Sequence, residues 1–327
     1  MQLELEPVWS SFWPQIDFEA AAARLAGVIL PTPIVELPSP WPGIRVRGKM
    51  ENRQLGRAFK ARGAWNHLVQ WGADERARGV VAASSGNHGL ALAWAAQKLG
   101  IACTLCMPAM TYPSKVEGCR AAGATVLLFD TRAEAEAERD RLAAQGTLRV
   151  HGYDAERTME GAGTIGLEIA QTIEPVDLVL IPVGGGGLSS GTSLALRRAW
   201  GSGPEIWGVE PEGAAGMSRA LEAGHSVPLE RIDSSIQGLT SPHAGERCTQ
   251  VNRETLSGVV TLRDELILDG WKRLQAAGET VEPAGAAGYA ALLQPDGLFG
   301  PWVSGQTRDP LEVLVVVSGG NNPDPGV

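Results

Sequence analysis

The chain has 327 residues, and its 28 Lys and Arg against 37 Asp and Glu give a formal net charge of −9. This balance argues against sequence-independent nucleic-acid binding, which needs clustered cations, and no apolar run reaches the ~18–20 residues of a membrane-spanning helix. Its 41 glycines exceed the usual share of ~7% and indicate many tight turns and close backbone approaches.

The first predicted elements precede a long alternating series. A helix is predicted from Phe18 to Leu25, ending near Gly27, and the proline-rich segment 31–43 is expected to be extended. Residues 44–51 alternate like a strand, and residues 58–71 have the spacing of a helix.

The alternating series then runs from residue 80 to residue 146. Strands are predicted at 80–84, 101–108 and 124–129, and helices at 88–100, 114–123 and 132–146. Short apolar strands separated by helices are typical of a parallel sheet. We therefore expect residues 79–149 to form a small α/β domain inserted in a larger domain made of residues 1–78 and 150–327.

The second half of the chain continues the α/β pattern. A helix is predicted at 163–173, and residues 177–200 read as a strand, a glycine loop and a helix. Residues 206–213 read as another strand and loop, and a last strand is predicted at 311–322. The fold class is therefore α/β, with parallel strands as the default.

The cysteines and the N-terminus bear on the compartment. Four cysteines are too few for a disulfide scaffold, and Cys103 and Cys106 face opposite sides of one predicted strand, so we expect buried thiols. The first residues, MQLELEPVWS, lack the charged and apolar regions of a signal peptide. We expect a cytoplasmic protein.

The strongest local signal is the run from Gly184 to Gly187, followed by Leu188. It lies between an apolar strand and a helix, where backbone N–H groups and the helix N-terminus bind anions, phosphate above all. By contrast, the GxGxxG spacing of Gly161, Gly163 and Gly166 follows no apolar strand and has no acid ~20 residues later. We attribute these three glycines to helix–sheet packing.

Three other segments each allow two interpretations. The loop from Ser84 to Gly89 has the groups to hold a carboxylate, or it only caps a helix. Lys60 is a solvated surface charge, or a nucleophile for aldehydes if its pocket is apolar. Ser318 follows a buried strand, where open α/β sheets place ligands, or it only begins a turn.

Taken together, the motifs resemble the fold-type II pyridoxal-phosphate (PLP) enzymes, in the threonine dehydratase and serine racemase branch. The resemblance covers residues 30–322 and rests on six segments that occur in the family's order: ENRQLGRAFKARGA, ASSGNHG, GGGGL, GVEPEG, VEPAGAAG and VVVSGGN. It implies a tryptophan synthase β-like fold, with two parallel-sheet α/β domains and the cofactor between them.

The resemblance also implies roles for individual residues. Lys60 would form a Schiff base with PLP, and Ser85 matches the serine that delivers a proton on the opposite face in racemases. The other residues implied to bind the cofactor are Phe59, Asn87, Gly184, Gly185, Gly186, Gly187, Leu188, Glu282 and Ser318. The residues implied to bind the substrate carboxylate are Ser84, Ser85, Asn87 and His88.

The implied activity is that of an ammonia-lyase, which converts a 3-hydroxy amino acid such as L-threonine or L-serine to a 2-keto acid and ammonia. An amino-acid racemase, a β-replacement enzyme, and an ammonia-lyase for 3-hydroxyaspartate or phenylserine remain alternatives. A PLP carrier without activity is disfavoured by the intact Lys60, Ser85 and Ser318. Ser318 offers a hydroxyl in place of a carboxylate, which would favour β-elimination over transamination.

Departures from the family pattern qualify some details. Gln237 stands where dehydratases often have Asp, so the preferred substrate stays open. Glu210 and Ala214 match a divalent-metal site of the racemase branch, but Gly216 stands at the third ligand position, and losing a carboxylate weakens such a site. A divalent or monovalent cation therefore remains open. Because the sequence ends at Val327, we expect no C-terminal regulatory domain.

The expected partners are few. The resemblance implies a small amino-acid substrate and a homo-oligomer, either a dimer or a tetramer. We expect no nucleic-acid or membrane partner.

Overall fold

A computed structural model describes residues 13–84, 86–294, 297, 299–305 and 309–321. In this part of the chain the strands are β1 Ile34–Leu37, β2 Ile44–Met50, β3 Val80–Ala83, β4 Cys103–Pro108, β5 Thr125–Phe129, β6 Leu148–Arg149, β7 Leu178–Pro182, β8 Glu205–Pro211, β9 Gly258–Leu262 and β10 Leu311–Val317. They form two separate sheets.

The helices alternate with the strands along the chain. Those in the described residues are α1 Phe18–Leu25, α2 Lys60–Val69, α3 Ala73–Arg78, α4 Asn87–Leu99, α5 Pro113–Ala121, α6 Arg132–Ala144, α7 Glu156–Thr172, α8 Gly187–Trp200, α9 Gly216–Ala223, α10 Glu246–Thr255, α11 Asp264–Ala276, α12 Pro283–Ala290 and α13 Phe299–Ser304. No helix in these ranges is long and apolar enough to cross a membrane.

The larger sheet has the strand order β1-β2-β10-β7-β8-β9. Strand β10 lies at its centre, parallel to β2 and β7, and all seven of its residues are buried. Such a continuous apolar run is what a parallel strand covered on both faces requires. The carboxyl ends of β10 and β7 therefore meet at one edge of the sheet, and Ser318 and the glycine loop follow directly from them.

The smaller sheet has the order β5-β4-β3-β6, and all its pairs are parallel. It lies entirely between residues 80 and 149, within the segment for which the alternating pattern predicted a parallel sheet. The loop that begins at Ser84 follows the carboxyl end of β3. Helix α4 then ends at Gly100, whose φ of +67° is left-handed and suits a helix C-terminus.

Strand β1 and helix α7 differ from the sequence predictions in ways that affect the fold. Strand β1 lies in the proline-rich segment and pairs with β2 in the antiparallel direction, so the larger sheet is mixed at that edge. Helix α7 begins at Glu156, seven residues before the predicted start at residue 163. Its first turns carry Thr158 and Glu160, which are polar but buried. Because these buried positions are not apolar, the apolar periodicity on which the prediction relied is interrupted there.

The GxGxxG glycines lie inside α7 and pack against helices, which corrects the expected helix–sheet packing. A β-carbon on Gly161 would lie 2.6 Å from the Arg62 carbonyl oxygen in α2, and one on Gly166 would lie 2.5 Å from the Thr192 carbonyl oxygen in α8. Real β-carbons do not approach backbone oxygens so closely. The glycines therefore let three helices approach one another, as expected for glycine at close helix contacts.

All four cysteines are buried and free. Burial raises the pKa of the Cys103 thiol to about 12 and that of Cys106 to about 11. These thiols stay protonated at neutral pH, in line with the predicted structural role.

Candidate active site

A cavity of about 680 Å³ lies between the two sheets. Its walls come from the start of α2, the loop after β3, the glycine loop after β7, the N-terminus of α12 and the residue after β10. The predicted site residues among those that line it are Phe59, Lys60, Ser84, Asn87, His88, Gly184, Gly185, Gly186, Gly187, Leu188, Glu282 and Ser318. Ser85 lies outside the described residues.

Lys60 is the first residue of α2, and its side chain enters this cavity. Its Nζ donates a hydrogen bond to the Gly152 carbonyl oxygen at 2.6 Å and lies 4.8 Å from the centroid of the Phe59 ring. Burial lowers the pKa of Lys60 to about 8, because the charged ammonium is poorly solvated there. The neutral amine, which is the form that attacks an aldehyde, is therefore more abundant near neutral pH than it is for an exposed lysine.

A buried ion cluster fixes the helix turn that carries Lys60. The Arg62 side chain is 1% exposed and donates hydrogen bonds to both carboxylate oxygens of Glu51 at 2.8 Å. It also contacts Glu168 at 2.5 and 2.9 Å, and Lys49 pairs with the same carboxylate. Because every charge in the cluster has an opposite partner, the cost of burial is offset, and the first turn of α2 is held to β2 and α7.

The glycine loop has no room for side chains. A β-carbon on Gly185 would lie 2.5 Å from the Tyr153 ring, and one on Gly187 would lie 2.8 Å from the Tyr153 α-carbon. Gly186 has a left-handed φ of +98°, and a β-carbon there would lie 2.5 Å from the Met217 methyl group. Since Gly186 caps α8 without any side-chain hydrogen bond, the N–H groups of this turn form a cradle for an anion.

The loop after β3 is held by contacts across the cavity. The Ser84 hydroxyl accepts a hydrogen bond from the Gly89 N–H at 3.1 Å. Asn87 donates to the Glu282 carboxylate at 2.7 Å and accepts a hydrogen bond from Asn321. Asn87 thus links the start of α4 to α12 and to the residues after β10, which are three of the cavity walls.

His88 lines the cavity but is a neutral group. It is 8% exposed, and its Nε2 lies 3.3 Å from the Val150 carbonyl oxygen, to which it donates. Burial, together with the nearby charge of Lys60, lowers its pKa to about 3. His88 therefore carries no charge into the cavity, and its hydrogen bond ties the start of α4 to the residue after β6.

Sequence reasoning missed the segment from His151 to Tyr153. His151 Nδ1 accepts hydrogen bonds from the N–H groups of Tyr153 and Asp154, and burial lowers its pKa to about 4. The Tyr153 ring covers the glycine loop, and Gly152 receives the Lys60 bond. Their position in the chain could have identified them, because they follow β6 and therefore lie at the same edge of the smaller sheet as the loop after β3.

Sequence reasoning also missed the charged rim of the cavity. Four cations from the smaller sheet and its helices line it, namely Lys115, Arg132, Arg139 and Arg149, together with one carboxylate, Glu136. They belong to α5, α6 and β6, which are separated along the chain and meet only in the fold.

The predicted metal position has a different set of contacts. The Glu210 carboxylate is buried and accepts hydrogen bonds from the N–H groups of Met217 and Ser218 at 2.9 and 2.8 Å, which caps the start of α9. Ala214 lies in the 3₁₀ turn just before this helix. Within the described ranges no three His, Cys, Asp or Glu side chains are grouped to hold a metal ion. The metal site stays a prediction.

Comparison with known proteins supplies independent evidence. Residues 25–319 match the family described as "Pyridoxal-phosphate dependent enzyme". The chain is 34% identical to a phenylserine dehydratase from Ralstonia pickettii, covering 83% of this chain and 84% of the relative. It is 35% identical to an L-threonine ammonia-lyase from Thermotoga maritima, covering 84% and 66%, and 33% identical to an L-threo-3-hydroxyaspartate ammonia-lyase from a Pseudomonas species, covering 93% and 94%.

The fold itself also has solved counterparts. The structure of maize serine racemase superposes on this one with a TM-score of 0.85 at 30% sequence identity. The match covers 93% of this chain and 92% of the racemase.

Proposed function

Because this chain belongs to the pyridoxal-phosphate-dependent enzyme family, we propose that it is an ammonia-lyase that converts a 3-hydroxy amino acid, such as L-threonine or L-serine, to a 2-keto acid and ammonia. The predicted fold-type II family, the α/β fold class and the PLP-dependent carbon–oxygen lyase class are confirmed by the comparisons. Which 3-hydroxy amino acid is used, and which residues act, belongs to the proposal.

The observation that carries the proposal is the fit of one cavity to both cofactor and substrate. The turn from Gly184 to Gly187 must be glycine at its last three positions, because a side chain there would collide with Tyr153 or Met217. Its backbone N–H groups would hold the phosphate. Lys60 supplies an amine with a lowered pKa in the same cavity. Phe59, Asn87 and Ser318 would contact the ring, and Leu188 and Glu282 complete the cofactor wall.

The substrate would be oriented by the start of α4. Ser84, Asn87 and the N–H groups of this helix end lie in the same cavity as Lys60. A helix N-terminus favours a carboxylate through its unpaired N–H groups and its partial positive charge. His88 is the second residue of α4, and Ser85 remains a predicted substrate and catalytic residue.

When bound, PLP withdraws electron density and makes the Cα–H of an attached amino acid acidic. Lys60 Nζ would accept this proton as a general base. The Cβ hydroxyl would then leave as water by taking a proton, which Lys60 Nζ can return, and hydrolysis of the released enamine by one water would give the 2-keto acid and ammonia. Ser318 places a neutral hydroxyl, not a carboxylate, at the end of β10, which favours this elimination over transamination.

The test is to purify the protein, load it with PLP and record its visible absorbance band. Keto acid and ammonia are then measured with a panel of 3-hydroxy amino acids. We expect a band and stoichiometric release of both products, and loss of both signals in Lys60→Ala. The matched control is Lys98→Ala, which removes an exposed lysine at the far end of α4. A band with no keto acid from any substrate would refute the lyase proposal.

A racemase is the second candidate, because the maize serine racemase structure is so similar. It would require the predicted proton donor Ser85 opposite Lys60. Measuring the D- and L-enantiomers of serine during the same assay separates racemisation from elimination.

Other features are proposed on the sequence pattern or on the resemblance. They are a large domain of residues 1–78 and 150–327 with a small domain of residues 79–149, a homodimer or homotetramer, a cytoplasmic location, and a divalent or monovalent cation near Glu210 and Ala214.

A further inference from the structure

Asn321, the last residue of the segment VVVSGGN, lies behind a wall of the cavity. Its Nδ2 donates a hydrogen bond to the side-chain oxygen of Asn87. Asn87 lines the cavity, whereas Asn321 does not. Any effect of Asn321 on a ligand in the cavity therefore depends on how it holds Asn87.

The two contacts of the Asn87 amide determine which way round the amide lies. Its Nδ2 donates to the Glu282 carboxylate at 2.7 Å, and its Oδ1 accepts from Asn321. An ionised carboxylate can only accept hydrogen bonds. Exchanging the oxygen and nitrogen of Asn87 would therefore turn the oxygen toward Glu282 and the nitrogen toward the Asn321 nitrogen. Both contacts thus favour the same orientation.

This orientation leaves one N–H of Asn87 for a ligand. An amide nitrogen carries two hydrogens, and within the described residues only the bond to Glu282 uses one of them. A β-carbon on Gly319 would lie 3.2 Å from Asn87 Nδ2 and 2.5 Å from Glu282 Oε1. The amide nitrogen therefore lies beside the residue that follows Ser318, at the wall proposed to contact the cofactor ring.

The segment that leads to Asn321 is held by its backbone. The Gly319 carbonyl oxygen accepts a hydrogen bond from the Glu282 N–H at 3.1 Å. The Gly320 N–H donates to the Arg57 carbonyl oxygen at 2.8 Å. Asn321 therefore approaches Asn87 from a segment tied to the start of α12 and to the residues before α2, as a supporting contact of a binding group requires.

We propose that Asn321 is a positioning residue for the cofactor. By donating to the Asn87 oxygen, it turns the Asn87 nitrogen toward Glu282 and the cavity, so that an N–H and not a carbonyl oxygen meets the oxygen that PLP carries on its ring. The inference rests on the ring contact of Asn87 in the function proposed above. A hydrogen bond to an ionised oxygen stabilises the ionised form.

The first experiment records the absorbance of the PLP-loaded protein without substrate. The ionised and neutral forms of the ring oxygen absorb at different wavelengths, so the spectrum gives their ratio. We expect the ionised fraction relative to the neutral one to fall at least about threefold in Asn321→Ala and at least about tenfold in Asn321→Asp. The aspartate variant has nearly the same shape but accepts where Asn321 donates, so it opposes the orientation of Asn87.

The matched control is Asn52→Ala. Asn52 is also a buried amide, and it donates to the Thr280 carbonyl oxygen at 3.0 Å, but neither contact of the Asn87 amide involves it. The ratio should stay at the parent value in this variant. An unchanged ratio in both Asn321 variants, or an equal fall in Asn52→Ala, would overturn the proposal.

A double-mutant cycle tests whether Asn321 acts through Asn87. The dissociation constant of PLP is measured for Asn87→Ala, Asn321→Ala and the double variant, with apoprotein melting temperatures to confirm folding. Because the truncated Asn87 has no amide to orient, the double variant should bind PLP within about threefold of Asn87→Ala. Losses that multiply in the double variant would show that Asn321 acts independently, and would overturn the proposal.

These measurements need no turnover, so they separate the inference from the proposed reaction. If the spectra and the cycle respond as expected but no 3-hydroxy amino acid yields keto acid, the lyase proposal fails and the role of Asn321 stands. If keto acid forms but neither measurement responds, the role of Asn321 fails and the lyase stands. A chain that binds no PLP would overturn both.

Discussion

The glycine at the start of α8 gives the sharpest test of the phosphate cradle. Gly186→Ala adds one methyl group at a residue with φ of +98° and ψ of −7°. This group would lie 2.5 Å from the Met217 methyl and 2.8 Å from the Cys248 β-carbon. The left-handed conformation costs a non-glycine residue about 1–2 kcal/mol, and overpacking of a filled site costs about 1–3 kcal/mol more.

A matched glycine separates these two costs. Gly224 has φ of +78° and ψ of 3°, and nothing lies within 4 Å of an added β-carbon. Gly224→Ala should therefore show the conformational cost alone. For 327 residues, an unfolding entropy of ~2.1 cal/mol/K per residue makes 1 kcal/mol worth about 1.5 °C in Tm. Gly186→Ala should melt about 1.5–4.5 °C below Gly224→Ala.

The assays are thermal denaturation of the apoprotein and titration with PLP. We expect Gly186→Ala to weaken PLP binding at least about tenfold, because the backbone N–H groups of the cradle shift, and Gly224→Ala to bind PLP like the parent chain. Equal melting temperatures together with equal PLP affinities in the two variants would refute the description of Gly186 as part of a filled cradle.

Three further outcomes follow from burial. The rate at which the apoprotein binds PLP covalently should rise with pH up to about 8 and then level off. The reason is that burial lowers the pKa of Lys60 to about 8 and only the neutral amine attacks. In a stopped-flow absorbance experiment, a rate that keeps rising to pH 10 would contradict this. Arg62→Met should lower the free energy of unfolding by about 3–5 kcal/mol, because Glu51 is left buried without its cation. The control Arg141→Gln should change the free energy of unfolding by less than ~0.5 kcal/mol. Similar denaturant midpoints for the two variants would be inconsistent with the ion cluster. No thiol should react with a disulfide reagent in the native protein at pH 8, and four should react after denaturation, because every cysteine is buried; rapid reaction of the folded chain would show otherwise.

The glycine loop and Ser318, which the structure places in one cavity, could be singled out from the sequence because their signals are local. An apolar strand followed by four glycines indicates an anion cradle in any α/β protein, and Ser318 follows the most apolar strand of the chain. In both cases a few adjacent residues contain the whole pattern. Lys60 was different, since spacing alone did not separate it from a surface lysine, and only the resemblance and then the fold placed it in a cavity.

The parts that sequence did not predict depend on contacts between distant segments. The start of α7 was missed because Thr158 and Glu160 are buried by partners from α1 and α2, so their polarity concealed a buried helix face. The rim was missed because Arg132 lies on a helix whose charges look like an ordinary solvated surface. Its position beside Thr240, 108 residues away, arises only from the packing of the two sheets.

The division of the cavity between two sheets has an evolutionary consequence. Most residues that would retain the cofactor follow β2, β7 and β10 of the larger sheet, with Asn87 and Glu282 as exceptions, whereas the loop for the carboxylate follows β3 of the smaller sheet and the cationic rim comes from α5, α6 and β6. Substitutions in α5, α6 and β6 can therefore alter which amino acid is accepted while the catalytic amine and the phosphate cradle keep their surroundings. Enzymes that share this chemistry can therefore differ in substrate preference through changes in a single stretch of about seventy residues.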